Sequence, residues 1–178
     1  LRYGGKVIGI CGGLQMLGHL ITDPNNIESD IVQSGGLGLL PITTVLSKDK
    51  ILANIHTKLK LNDDLVSVTG YEIHAGETLI TNGASEVTPI FFNEQNQALY
   101  DLGFASKDNQ IIGTYLHGIF DDNKALKTLM AWAGAEIEAS ISFIEQQNMA
   151  LDKLADSLEK NLNMPLIEEL TTQWNEKI

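Results

Sequence analysis

Cys11 is the only cysteine of this chain, and its neighbours are arranged to present it as a nucleophile. It stands in Gly9-Ile10-Cys11-Gly12-Gly13. Val7, Ile8 and Ile10 read as a short buried strand before it, and Leu14, Met16 and Leu17 open an apolar run suited to a helix after it. A nucleophile on a sharp strand-to-helix turn is crowded unless its neighbours lack a Cβ, and glycines on both sides allow the strained backbone and the close approach of a substrate. Such an elbow also aims the thiol from a helix start, where unpaired N–H groups face developing negative charge. The competing reading is structural, because lone cysteines are commonly buried and behave as small hydrophobes. A core cysteine, however, has no need of glycines two residues before and two after it.

A thiol nucleophile needs a base, and four histidines are available: His19, His56, His74 and His117. His19 follows the elbow helix and His56 lies in a polar, lysine-bearing stretch, so both are expected at the surface. His117 ends the apolar run Ile111, Ile112, Tyr115, Leu116 and is followed by Gly118, which permits a turn. A histidine at a strand end, far from the cysteine in sequence, suits a Cys-His pair assembled by an α/β sheet. Taken alone, the same placement also fits a histidine that only bonds a loop. In Gly70-Tyr71-Glu72-Ile73-His74-Ala75-Gly76 the alternation predicts a strand with Glu72 and His74 on one face and Tyr71 and Ile73 on the other. Glu72 and His74 then line a pocket or an interface, or they form the wet side of a half-exposed strand; no catalytic role is assigned to either.

The elements that must position these residues follow from the pattern of the rest. Asp23-Pro24-Asn25-Asn26 is a turn cluster. Gly35-Gly36-Leu37-Gly38 lacks the Gly-Lys-Ser/Thr ending of a phosphate loop and reads as a turn before a strand from Leu39 to Leu46. Further strands are expected near Leu65 to Ile73, Glu86 to Phe92 and Ile111 to His117. Asp122 can cap a helix running through Ala133 and ended by Gly134. From Ile141 to Leu162 the residues Ile144, Met149, Leu151, Leu154, Leu158 and Leu162 form a helical stripe, broken before Pro165 and resumed from Leu166 to Trp174. The tail is expected to pack on the sheet, with a partner-binding helix as the alternative.

GICGGLQMLG, DPNNIES, GLGLLPITT, GYEIHAGET and GTYLHGIFD stand in the order and at similar spacing to the motifs of one family. Over nearly its whole length the chain resembles the class I glutamine amidotransferase half of the cobyric acid synthases. The elbow alone indicates only a class I amidotransferase, while GYEIHAG followed by YLHGIFD points to the cobalamin-pathway branch. The cobyrinic acid a,c-diamide synthases and the amidotransferases of peptidoglycan precursors share the elbow and stay open as alternatives, as does a non-catalytic docking domain.

The resemblance implies an α/β fold with a flavodoxin-like sheet flanked by helices. Residues 1–178 then form a partial amidotransferase domain, with an α/β core over 1–134 and C-terminal helices over 135–178. It implies that Cys11 attacks the carboxamide of glutamine, that His117 moves the protons, and that the backbone N–H of Gly12 donates to the oxyanion. Many class I relatives place Pro-Glu directly after the histidine to orient it, whereas here Gly118-Ile119 follows. Asp121 and Asp122 are close in sequence, and a turn or a helix cap is the better reading for both. ATP and Mg²⁺ are expected in a synthetase part that this sequence lacks, together with a corrinoid substrate. The sequence opens almost at the nucleophile strand, so the earlier strands are expected to be missing, and activity of this piece by itself is expected to be weak or absent.

Composition fits this reading. With 178 residues, 43% of them hydrophobic, the chain is long enough for one sizeable core. The net charge of −11 argues against nucleic-acid or anionic-membrane surfaces as partners. No apolar run approaches the ~18–20 residues of a membrane span. A single cysteine excludes an internal disulfide and a multi-thiolate metal site, and lacks the resolving partner of a redox thiol, which accords with a reducing cytoplasm. The dispersed histidines form no recognisable metal motif.

Overall fold

The computed structural model describes residues 3–81, 83–136 and 143–175. The chain divides into two compact units, Leu1–Glu138 and Ala139–Ile178. The first contains β1 (Val7–Ile10), α1 (Gly12–Leu17), β2 (Leu20–Thr22), β3 (Gln33–Gly35), β4 (Ile42–Leu61), β5 (Asp64–Ile80), β6 (Val87–Pro89), β7 (Phe91–Phe92), β8 (Gly103–Ser106), β9 (Ile111–Thr114), β10 (Leu116–His117) and α2 (Asn123–Trp132). The second contains α3 (Phe143–Asn161) and α4 (Met164–Asn175).

This is a mixed α/β fold. Among the described residues, one sheet runs in the order β1-β9-β8-β6, and a second runs β10-β5-β4-β2-β3 with β7 also on β4. Among the described residues, β1 with β9 and β2 with β4 pair in parallel, and the other pairs are antiparallel. The second sheet is dominated by the long β4–β5 hairpin, turned at Asn62 with φ +53 and shifted in register between Val45 and Lys50. Sequence periodicity had suggested a strand from Leu39 to Leu46 and another from Leu65 to Ile73. The intervening polar stretch around His56 is strand as well, because its pairing with β5 satisfies the backbone whatever the outward side chains are. His56 and His19 are both exposed.

Two apolar clusters flank these sheets. Leu14, Leu17, Leu40, Ile42, Phe104 and Tyr115 pack around the elbow helix. Leu59, Phe91, Ile112, Leu116, Leu129 and Trp132 pack the hairpin against β9 and α2. Asp122 caps α2 by accepting from the N–H groups of Lys124 and Ala125, and Gly134 follows its end with φ +84. In the second unit, α4 holds Pro165 in its first turn, where a missing N–H costs nothing, and Asn163 Oδ1 accepts from Leu166 N–H. The expected helical stripe coincides with α3 from Phe143 onward; residues 141–142 lie outside the described residues.

Candidate active site

The elbow begins with the backbone of Cys11, whose φ is 53 and ψ is −116. A side chain other than glycine in this region costs on the order of 1–3 kcal/mol and persists only where the surroundings enforce it. Three contacts enforce it here. Cys11 N–H donates to Thr114 O at 2.8 Å, the Cys11 carbonyl accepts from Gln15 N–H at 3.3 Å, and Sγ donates to Ile73 O at 3.3 Å. The thiol therefore rests against the Ile73 carbonyl of β5.

The glycines of the frame do different work. A Cβ on Gly9 would lie 2.5 Å from Leu17 Cδ1 and 2.7 Å from the carbonyl carbon and oxygen of Gly13, so β1 and α1 close on each other only across a glycine. Gly12 and Gly13 face open space, with nothing within 4 Å of a Cβ built on either. Gly12 N–H stands at the start of α1, where no carbonyl of the helix can reach it.

The other end of α1 is clamped by the segment that reads as a simple turn. Leu37 N–H donates to Met16 O, Gly38 to Gly18 O, and both Leu39 and Leu40 to Leu17 O, at 2.8–2.9 Å. A Cβ on Gly36 would collide with the carbonyl of Gly18. The glycine run spends its amides on the helix end, which is a different use from cradling a phosphate. Beside it, Asp23 is buried and accepts from the N–H groups of Ile27, Glu28 and Ser29 at 2.7, 2.8 and 3.1 Å. These bonds, Ile27's foremost, hold its carboxyl below the usual value against the opposing effect of desolvation.

His117 reaches the same region from β9. That strand ends at Thr114 in the first sheet, and β10 begins at Leu116 in the second, so Tyr115 alone spans the step between them. On β10, Leu116 pairs with Glu72 and His117 with Tyr71. The approach depends on Gly70, where any Cβ would collide with the His117 carbonyl. The imidazole lies flat on the ring of Tyr71, with centroids 5.0 Å apart and an interplanar angle of 11°. Its Nε2 is buried and has no hydrogen-bond partner among the described residues. Cys11 thus contacts β5 at Ile73 and His117 contacts it at Tyr71, two residues along, or roughly 7 Å of strand. The two side chains converge on one strand without a hydrogen bond from sulfur to Nε2.

Glu72 and His74 occupy the opposite side of β5, where His74 is buried and Glu72 is partly buried. His74 is 6% exposed, its Nε2 lies 2.9 Å from Glu72 Oε1, and its Nδ1 is buried without a partner among the described residues. The His74 ring stacks on Tyr115 at 3.6 Å and 12°. Tyr115 OH in turn accepts from Gln15 Nε2 at 3.2 Å and is hydrogen-bonded to Thr78 Oγ1, which meets Thr44 Oγ1 at 2.7 Å. Burial raises the Tyr115 phenol above its usual value, so it remains neutral in this network. Both Glu72 and His74 line a cavity of about 380 Å³, together with Leu14, Thr78, Asp101 and Tyr115. Cys11 and His117 are not in its walls.

Sequence reasoning singled out neither Tyr71, Gln15 nor Tyr115 as part of this assembly. The available signal was position: Gln15 stands one helical turn after the cysteine, and Tyr71 and Tyr115 lie inside the two histidine motifs. Among the described residues, no three His, Cys, Asp or Glu side chains converge as a metal site requires, and no helix is long and apolar enough to cross a membrane.

Residues 1–125 match the CobB/CobQ-like glutamine amidotransferase domain. Among individual proteins, the chain is similar to the cobyric acid synthase of Shewanella oneidensis, at 41% identity over 97% of this chain and 35% of that protein. It is similar to the Aliivibrio fischeri cobyric acid synthase at 44% identity over 94% of this chain and 33% of the relative. The corresponding Photobacterium profundum protein is 40% identical over 99% of this chain and 34% of the relative. The chain spans about a third of the length of these curated relatives.

Proposed function

Since the chain belongs to the CobB/CobQ-like glutamine amidotransferase domain family, we propose that Cys11 and His117 hydrolyse the side-chain amide of glutamine and release ammonia to an amide-forming synthase. The observation that carries this reading is the backbone of Cys11, strained at φ 53 and ψ −116 and held by Thr114, Gln15 and Ile73. A buried structural cysteine has no use for that conformation, whereas a nucleophile that must project from a strand-to-helix turn does.

In the proposed reaction Sγ attacks the carboxamide carbon as its proton passes to Nε2 of His117, the nitrogen that has no other partner among the described residues. The tetrahedral oxyanion takes the Gly12 N–H, and a donor of this kind is typically worth ~10²–10³ in rate. Collapse expels the nitrogen as ammonia, protonated by His117, and leaves a glutamyl thioester on Cys11. His117 then removes a proton from water as it attacks the thioester, giving glutamate and the free thiol. Glu72 and His74 are proposed to support Tyr115 and the wall of the adjoining cavity, and neither takes part in bond breaking.

The ammonia acceptor belongs to the remaining two thirds of a polypeptide the length of the relatives. There, on this reading, a corrinoid carboxylate accepts the ammonia, as the name cobyric acid synthase of the similar proteins suggests, and ATP with Mg²⁺ would supply the activation that amide formation needs. The test is intact-mass labelling of the full-length protein with a diazoketone analogue of glutamine. Labelling should map to Cys11, be blocked by glutamine, vanish in Cys11→Ser, and slow by about 10²–10⁴ in His117→Ala, the range a positioned base contributes. Labelling that persists in Cys11→Ser removes the chemical basis of the assignment.

A further inference from the structure

We propose that Tyr71 is the positioning residue of His117, its ring holding the imidazole in the plane that an orienting carboxylate holds in a Cys-His-acid triad. This rests on the reading of Cys11 as nucleophile and His117 as base.

A general base is effective only while its ring stays in one orientation, and that orientation is usually set by a hydrogen bond to the second nitrogen. Among the described residues, no carboxylate is hydrogen-bonded to His117: Asp121, whose Oδ2 lies 3.3 Å from where a Cβ on Gly118 would stand, makes no bond to the imidazole, and two other nearby acids are committed elsewhere. Glu72 Oε1 is bonded to His74 at 2.9 Å on the other side of β5, and Asp122 Oδ1 caps α2 through Lys124 and Ala125. The residue directly after His117 is Gly118 at φ +75, which offers no side chain to brace the ring. What does touch the ring is Tyr71, its partner in strand register, at 5.0 Å and only 11° from parallel.

Facing positions on antiparallel strands send their side chains to the same side. The β10–β5 pairing, made possible at Gly70, therefore sets the stack as directly as it sets the strand. The flat contact restricts rotation about the Cβ–Cγ bond of His117 while leaving both ring nitrogens in the ring plane, free of the tyrosine. The π face also favours the imidazolium that forms when the thiol proton arrives. Tyr71 is 45% exposed, more than a residue kept for packing alone requires.

The experiment measures the maximal rate and the half-saturating concentration of Cys11 labelling by the diazoketone glutamine analogue in the full-length protein. It compares Tyr71→Leu, Tyr71→Phe, His117→Ala and the double variant Tyr71→Leu/His117→Ala, with Cys11→Ser as control. The expected result for Tyr71→Leu is a maximal rate lowered by about 10- to 100-fold, the scale of a misplaced catalytic group, with half-saturation unchanged. Tyr71→Phe keeps the stack and should retain the rate within about twofold. In the His117→Ala background the leucine should cause no further loss, because a residue acting only through the imidazole has nothing left to act on.

An unchanged rate in Tyr71→Leu, a change in half-saturation alone, or an equal loss with and without His117 overturns the proposal while leaving Cys11 and His117 in place. Labelling that survives Cys11→Ser, or a wild-type rate in His117→Ala, overturns the nucleophile-and-base reading and the role of Tyr71 with it. Should the leucine variant fail to fold by circular dichroism, Tyr71→Met removes the aromatic face at similar volume and gives the same comparison.

Discussion

Replacing Gly9 by alanine adds one methyl group at the closest contact of the elbow. The new Cβ would stand 2.5 Å from Leu17 Cδ1 and 2.7 Å from the carbonyl carbon and oxygen of Gly13. Leu17 can yield by a rotamer change, but Gly13 is backbone and can yield only if α1 moves. Restoring an ordinary contact of 3.4 Å from 2.7 Å requires a shift of 0.7 Å. Overpacking of this kind costs about 1–3 kcal/mol, read as a lower urea midpoint at unchanged slope. The same shift carries Cys11 off Ile73 O and Thr114 O. A displacement near 1 Å costs up to ~10²-fold in rate, so labelling of Cys11 should fall by about 10- to 100-fold. Gly12→Ala is the control, because its Cβ meets nothing within 4 Å. That variant should keep or slightly raise stability, by up to about 1 kcal/mol from helix propensity, and lose labelling only through crowding of the approach side. A Gly9→Ala protein with the urea midpoint and labelling rate of the parent would refute the argument that β1 and α1 can close only across a glycine.

Glu72→Ala leaves the buried His74 ring without a partner on either nitrogen, and should cost about 1–3 kcal/mol in a urea titration while half-saturation by the glutamine analogue changes little. Asp23 titrates lower in the folded chain than its ordinary value of 3.8, so its bonds to Ile27, Glu28 and Ser29 contribute stability above that value and lose it as pH falls through the lower folded value. The amide resonances of those three residues, followed downward from neutral pH, should move together below pH 3.8, and the step should be absent in Asp23→Asn.

The parts of the site legible in the sequence are those written in consecutive residues. Gly9 to Gly13 announce a turn with a presented cysteine, and Asp122 with Gly134 announces the bounds of α2. In the same way, the alternation of Tyr71, Glu72, Ile73 and His74 announces their division between two faces of a strand. What was not legible depends on contacts between segments. Gly35 to Gly38 contain nothing to indicate that the following amides terminate α1, since the acceptors are the carbonyls of Met16, Leu17 and Gly18. The length of β4 was hidden because its exposed residues include Lys48, Asp49, Lys50, Asn54 and His56, while its strand character comes from pairing with β5 on both sides of the register shift. By type Glu72 and His74 fit a pocket wall or a wet face equally, and what decides for the wall is Tyr115, more than forty residues away, flat on the imidazole.

Tyr115 also links the cysteine that follows β1 of one sheet to the histidine of the other, as the proposed reaction requires. Thr114 O receives the N–H of Cys11, which fixes the end of β9 to the elbow, and His117 follows three residues later on β10. Between them only Tyr115 crosses from sheet to sheet, and it is held by its ring on His74 and by its hydroxyl on Gln15 and Thr78. Strand side chains alternate with a period of two, so a slip of one residue in this crossing would bring His117 opposite Gly70 and turn it to the face of Glu72 and His74. The buried tyrosine network therefore sets the register on which the proposed pair depends. A polar cluster whose side chains, among the described residues, bond neither Cys11 nor His117 can thereby govern the proposed reaction, through which side of β5 receives the imidazole.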